Sequence, residues 1–195
     1  MPVGRPRAFD VENALDAALR VFWEKGFEGA SLPDLTKAMG INRPSLYAAF
    51  GNKEALFRKA LDRYSAGPAG YVREALKEPT ARGVVEKLLN GAVNLLSDPG
   101  HPHGCLVVQG ALACGDEANC VREELAKRRA ARQAALRKRL EKARRSGDLP
   151  SGAKPADLAR YVMTVIQGMA VQAAGGAGRR ELKQVAELAL LAWPK

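Results

Sequence analysis

The chain has 195 residues and a formal charge of +10, with 31 Lys and Arg against 21 Asp and Glu. That length can bury a substantial core, and abundant Ala, Leu, Arg, Lys and Glu with short β-branched runs favour helix over sheet. Three cysteines are too few and too odd for a secreted disulfide framework and suit a reducing cytoplasm. The longest apolar stretch, 161–174, is broken by Gln167, Gly168 and Gln172 and falls short of a membrane span.

From the N-terminus, Met1–Arg7 carries Arg5 and Arg7 with no apolar stretch behind them, so it reads as a basic arm and not a signal peptide. Asp10 is placed to cap a helix whose apolar residues Ala14, Leu15, Ala18, Leu19 and Phe22 follow the helical period, and Gly26 is placed to end it. Ser31 and Asp34 have capping-box spacing, with Pro33 in the first turn of a second helix that Gly40 stops. Ile41 and Asn42 alone separate it from a short helix, Arg43–Phe50. Asn52 then caps a fourth helix carrying Leu56, Phe57, Ala60, Leu61 and Tyr64 on its apolar face. A weak junction at Ser65-Ala66-Gly67-Pro68 marks a domain boundary, giving domains 1–65 and 66–195. Beyond it the pattern predicts helices near 69–77, 81–97, 104–114, 117–146, 155–174 and 179–193.

Two short helices joined by a tight glycine-containing turn make a helix-turn-helix, whose second helix fits a DNA major groove. Leu35, Met39, Ile41, Leu46 and Phe50 are the expected packing residues; Arg43, Ser45, Tyr47 and Ala48 are expected to face outward. Residues 10–64 resemble the DNA-binding domain of the TetR family of bacterial transcriptional regulators. The likeness is carried by Ala18, Phe22, Gly26-Phe27, Ser31-Leu32, Leu35 and the run GINRPSLYAAFGNKEALF from Gly40 to Phe57. The resemblance implies phosphate contacts from Ser31, Tyr47 and Lys53, and base-edge contacts from Asn42, Arg43, Ser45 and Ala48. Arg43, with a guanidinium fork that pairs two acceptors, is the candidate guanine reader. Pro44 stands where the family often has Gly or another small residue, and it removes an amide that would otherwise serve a phosphate. The arm with Arg5 and Arg7 is positioned to reach backbone or minor groove.

For the remainder, the resemblance implies a helical ligand-binding and dimerisation domain, hence an all-α protein that acts as a homodimer through its last two helices. Apolar stripes there run through Leu158, Val162, Val165, Ile166 and Met169, then Leu182, Val185, Leu188, Ala189, Ala192 and Trp193, to be shared between a dimer interface and the chain's own core. Leu88, Ala92, Leu95, Leu96, Val108, Gln109 and Leu112 are the candidate lining of an effector pocket. Between Arg122 and Arg145, eleven basic residues face Glu123, Glu124 and Glu141. Arg132 and Arg128 fall on the apolar stripe of that helix, where each needs an anionic partner: an acid on another helix or an acidic effector.

His101, His103 and Cys105 share one loop, but no complete metal-ligand set is expected from them. Cys105, Cys114 and Cys120 are candidate thiol sensors. No catalytic constellation and no cofactor motif is found. The sequence therefore reads as a cytoplasmic, non-enzymatic repressor of a palindromic operator, released by a small-molecule effector. A thiol- or metal-responsive version of the same architecture is the alternative.

Overall fold

The structure is a computed structural model describing residues 9–112 and 119–194, with the side chains of 111 and 112 left aside. Ten α-helices follow one another: α1 Val11–Gly29, α2 Leu32–Met39, α3 Arg43–Phe50, α4 Lys53–Ala66, α5 Tyr71–Ala75, α6 Ala81–Leu96, α7 Leu106–Leu112, α8 Asn119–Arg145, α9 Pro155–Ala174 and α10 Arg179–Leu191. One 3-10 turn, Pro68–Gly70, links α4 to α5, and no strand occurs among the described residues. The expectation of an all-α fold holds.

The first four helices start and stop where their side chains dictate. The Asp10 carboxylate accepts from the amides of Glu12 and Asn13, satisfying donors that the first turn of α1 leaves open. Gly26, at φ +69° and ψ −176°, breaks the helical path in a region open only to glycine; the chain then makes one more turn to Gly29. Gly40 ends α2 in the left-handed conformation. Asn42 and Asn52 cap α3 and α4 through Ser45 N at 2.9 Å and Ala55 N at 2.8 Å.

At α2 the capping box is complete: the Ser31 hydroxyl accepts from Asp34 N, and Ser31 N donates to the Asp34 carboxylate. The Ser31 hydroxyl above all, with Lys25 Nζ 2.9 Å away, holds the Asp34 carboxyl at about 2, below its ordinary 3.8. The folded value is the depressed one, so this contribution is present above pH 3.8 and disappears as pH falls from there towards 2. Thermal scans of wild type and Asp34→Asn across pH 2 to 7 should therefore show a stability gap near neutrality that closes at the acid end.

Two apolar cores are present. The first is aromatic: Phe57 of α4 meets Phe22 edge-to-face at 4.9 Å and Phe27 at 5.3 Å, while Trp23 meets Tyr64 at 4.7 Å. It joins α1–α4 to Leu95, Leu106, Val107, Val121 and Leu125 from later helices. The second core is aliphatic and lies among α6, the C-terminal half of α8, α9 and α10.

Polar links fix α4 against its neighbours. Arg63 holds Asp16 of α1 in a two-pronged bridge, both bonds 2.7 Å, and reaches Glu12 at 3.0 Å. Arg128 of α8 bridges Asp62 of α4 at 2.7 Å and Glu124 at 2.6 Å. The segment Ser97–Cys105 is tied to the same helices. Trp23 Nε1 donates to Gly104 O at 3.0 Å, His101 stacks on the Trp23 ring at 5.1 Å, and the Tyr64 hydroxyl donates to Cys105 Sγ at 3.3 Å.

Candidate nucleic-acid interface and effector cavity

Helix α3 is eight residues long and turns only Leu46 and Phe50 fully inward. Those two side chains, with Leu35 and Met39 of α2, anchor it to the aromatic core; Ile41 packs beside them, half-buried. Asn42, Arg43, Pro44, Tyr47 and Ala48 are exposed, Tyr47 to 47%, and Ser45 is half-buried. Arg43 opens α3 and makes no hydrogen bond or ion pair with any described residue. A cation at a helix N-terminus opposes the dipole of that helix, so its placement costs stability unless an external anion offsets it.

Lys53 repeats the arrangement at the start of α4. Its ammonium sits 4.5 Å above the Phe27 ring, and partial burial lowers its pKa. Beside it, the Asn52 side chain accepts from Ala55 N, one of the amides that the first turn of α4 leaves open. Ser31 is exposed, three residues before Asp34. A phosphate oxygen meeting Lys53 and these amides would gain both a charge and backbone donors.

Further from this surface, a small cavity lies where α4, the turn after it, α5, α6, α7, α8 and α9 come together. It has about 30 Å³ of space, room for a water molecule or two and far below the few hundred Å³ of a filled ligand pocket. Tyr64, Tyr71, Cys105, Arg129, Arg132, Met163, Ile166 and Gln167 are among the residues that border it. Burial raises the pKa of both phenols, so they stand as neutral donors. The Tyr71 ring reaches this position because α6 carries Gly91: a Cβ there would lie 2.3 Å from the ring.

Residues 14–60 match the profile described as bacterial regulatory proteins, tetR family, and residues 79–186 match that of the tetracyclin repressor-like C-terminal domain. The chain belongs to the TetR family. It is 32% identical to the HTH-type transcriptional repressor ComR of Escherichia coli K12 over 98% of this chain and 92% of ComR. It is also similar to the TetR-family regulator CifR, solved as a cysteine mutant with 26-base-pair double-strand operator DNA. That likeness has 44% identity and a TM-score of 0.93, covering 97% of this chain and 100% of CifR. A TetR regulator from Rhodococcus sp. RHA1 matches at 43% identity and a TM-score of 0.63, over 95% of this chain and all of that one.

Within this TetR-family fold, the residues singled out from sequence fall into distinct groups. Asn42, Arg43, Pro44, Ser45, Tyr47 and Ala48 lie together on α3 and its cap, and Ser31 and Lys53 open the neighbouring helices. Arg5, Arg7 and Cys114 lie outside the described residues, as does the Leu112 side chain. Of the expected pocket lining, Leu95, Leu96, Val108 and Arg132 border the cavity. Leu88 and Ala92 do not: they lie on the face of α6 that fills the aliphatic core. Gln109 also misses it, wedged against Gly104 with its Oε1 buried and unpaired among the described residues.

Arg128 has the acidic partners its position required; Arg132 has only the Ser65 hydroxyl at 3.4 Å. His101 and Cys105 face different aromatic rings, and no group of three metal-binding side chains forms among the described residues. Cys120 is exposed at the start of α8. Sequence reasoning missed Tyr64 and Tyr71. The available signal was the residue type, because a tyrosine in place of a phenylalanine on a core stripe implies a polar destination for its hydroxyl.

Proposed function

We propose that this chain is a transcriptional repressor that binds operator DNA as a homodimer and releases it when a small molecule occupies the cavity beside Tyr64. We divide it at residue 66 into a reading head and an effector-binding domain, and place its work in the cytoplasm as binding without catalysis. The observation that carries the reading is the exposed, unpaired Arg43 on a short helix whose opposite face is locked into an aromatic core. CifR, the similar protein seen on operator DNA, supports the same use of this fold.

The homodimer has support of its own. On α9 and α10, Val171, Val185, Leu188 and Leu191 stay exposed, the last two to 65% and 79%, beside Gly168. Five of the eleven stripe residues read from sequence, Val162, Met169, Leu182, Ala189 and Trp193, are buried within the chain. Val171, Val185, Leu188 and Leu191 form the apolar strip that a second copy would cover about a two-fold axis.

Protection mapping of the DNA upstream of the gene tests the reading directly. Arg43→Ala should lose about 1–3 kcal/mol on specific DNA and relax selectivity at particular base pairs. Lys53→Ala should weaken specific and random duplexes almost equally and reduce the salt dependence. Equal losses from Arg43→Ala on both kinds of DNA would contradict the reading role.

A further inference from the structure

The cavity beside Tyr64 is unusual for its charge. Arg129 and Arg132 both border it, and no acidic residue does. Arg129 spends one guanidinium nitrogen on Val107 O at 3.0 Å. Arg132 makes only the long contact to Ser65, and no carboxylate of the described residues pairs with it. Its neighbour Arg128 shows what a settled arginine looks like on the same helix, with Asp62 and Glu124 both under 3 Å. A half-buried guanidinium left without an anion forfeits hydration and gains little in return. Around it stand two neutral phenols able to donate to an anionic oxygen; apart from Cys105 and the neutral amide of Gln167, the rest of the wall, including Leu95, Val108, Met163 and Ile166, is apolar.

We propose that this cavity binds a small organic carboxylate, its oxygens on the Arg132 guanidinium and the phenols of Tyr64 and Tyr71, its apolar body against α9. The inference rests on the effector reading above and names the chemistry of that effector. An apolar body suits the side of the cavity formed by Met163 and Ile166, but it needs more room than the cavity has at rest. Space for it comes from Met163, whose unbranched side chain can change rotamer at small cost. The consequence for DNA follows from placement. Tyr64 and Ser65 are on the last turns of α4, and Lys53 is on its first, so an anion linking Arg132 to Tyr64 ties α8 to the helix that presents Lys53. The Tyr64 hydroxyl would leave Cys105 to do so. Release follows only to the extent that the carboxylate prefers the arrangement in which the two heads no longer fit the operator.

The test uses the full-length protein with benzoate and octanoate, their neutral counterparts benzamide and octanol, and inorganic phosphate, all at constant ionic strength. Thermal shift and upstream-DNA retention are both read. Benzoate or octanoate should raise Tm by about 3 °C at tenfold over Kd, and the same concentrations should release the DNA. Arg132→Met should abolish both effects, and Arg122→Met, an equal loss of charge on the exposed face, should keep them. Tyr71→Phe should weaken carboxylate binding about tenfold without changing the unliganded Tm, a readout independent of how well Arg132→Met folds. The proposal is overturned if neither carboxylate shifts Tm, if the shift survives Arg132→Met, if the neutral counterparts match it, or if phosphate alone reproduces it. DNA retention without carboxylate response defeats this inference and leaves the repressor intact. Carboxylate binding without DNA retention does the reverse.

Discussion

Phe57→Ala is expected to lower the melting temperature by about 10 °C and to abolish operator binding at growth temperature. Phe57 is fully buried and touches Phe22 and Phe27 at once, so its loss removes the ring on which α1 and α4 meet. Phenylalanine-to-alanine changes in cores cost about 3–5 kcal/mol. Each kcal/mol moves Tm by roughly 2–4 °C in a chain of this size. DNA binding fails with it, because Lys53 rests on Phe27 and the α3 anchor Phe50 belongs to the same cluster. Phe57→Leu, which keeps most of the volume, should lose far less of both. Circular-dichroism melting and a gel shift on the two variants measure the effect, and a Phe57→Ala melt within 3 °C of wild type would contradict this view of the core.

The second large effect is expected at Gly104. It is buried with φ at +85°, where a residue with a Cβ costs about 1–2 kcal/mol. A Cβ there would also stand 2.5 Å from the Gln109 amide, and Gly104 O is the acceptor for Trp23 Nε1. Gly104→Ala should therefore cost about 2–3 kcal/mol in total, the strained backbone supplying most of it and the weakened Trp23 bond about 1 kcal/mol. The double variant Gly104→Ala with Gln109→Ala separates the parts. Removing the amide relieves the clash and leaves the backbone strain, so the double variant should recover only a minority of the lost stability. Full recovery would show that crowding, and not the dihedral, sets the need for glycine.

Much of the reading head was legible in the sequence because its signals are local. Ser31 with Asp34, Gly40 and Asn52 each act on amides or dihedrals within a few residues, and each acts where its spacing said it would; the capping by Asn42 was not read from the sequence. The same holds for Pro155–Ala174, bounded by a proline and a glycine pair. What periodicity left open was the partner of each apolar face. Leu88, Ala92, Leu95 and Leu96 of α6 read together as candidate pocket lining, yet Leu95 joins the aromatic core and the other three the aliphatic one. A period of 3.6 identifies a buried side chain but does not say what lies opposite. The cavity escaped for the same reason: it is made of a few residues each from helices far apart in sequence.

The continuity of the aromatic core with Leu95, Leu106, Val107, Val121 and Leu125 also bears on portability. A head cut off after α4 would carry away half of a shared surface, leaving apolar faces of Phe57, Leu61 and Tyr64 bare on one side. Exchange of such heads between related regulators, by recombination or in the laboratory, therefore requires a matched seat. A graft must bring the sequence around Trp23, Gly104 and Leu106 with it, or be repacked at that seam, before specificity for a new promoter can be transplanted.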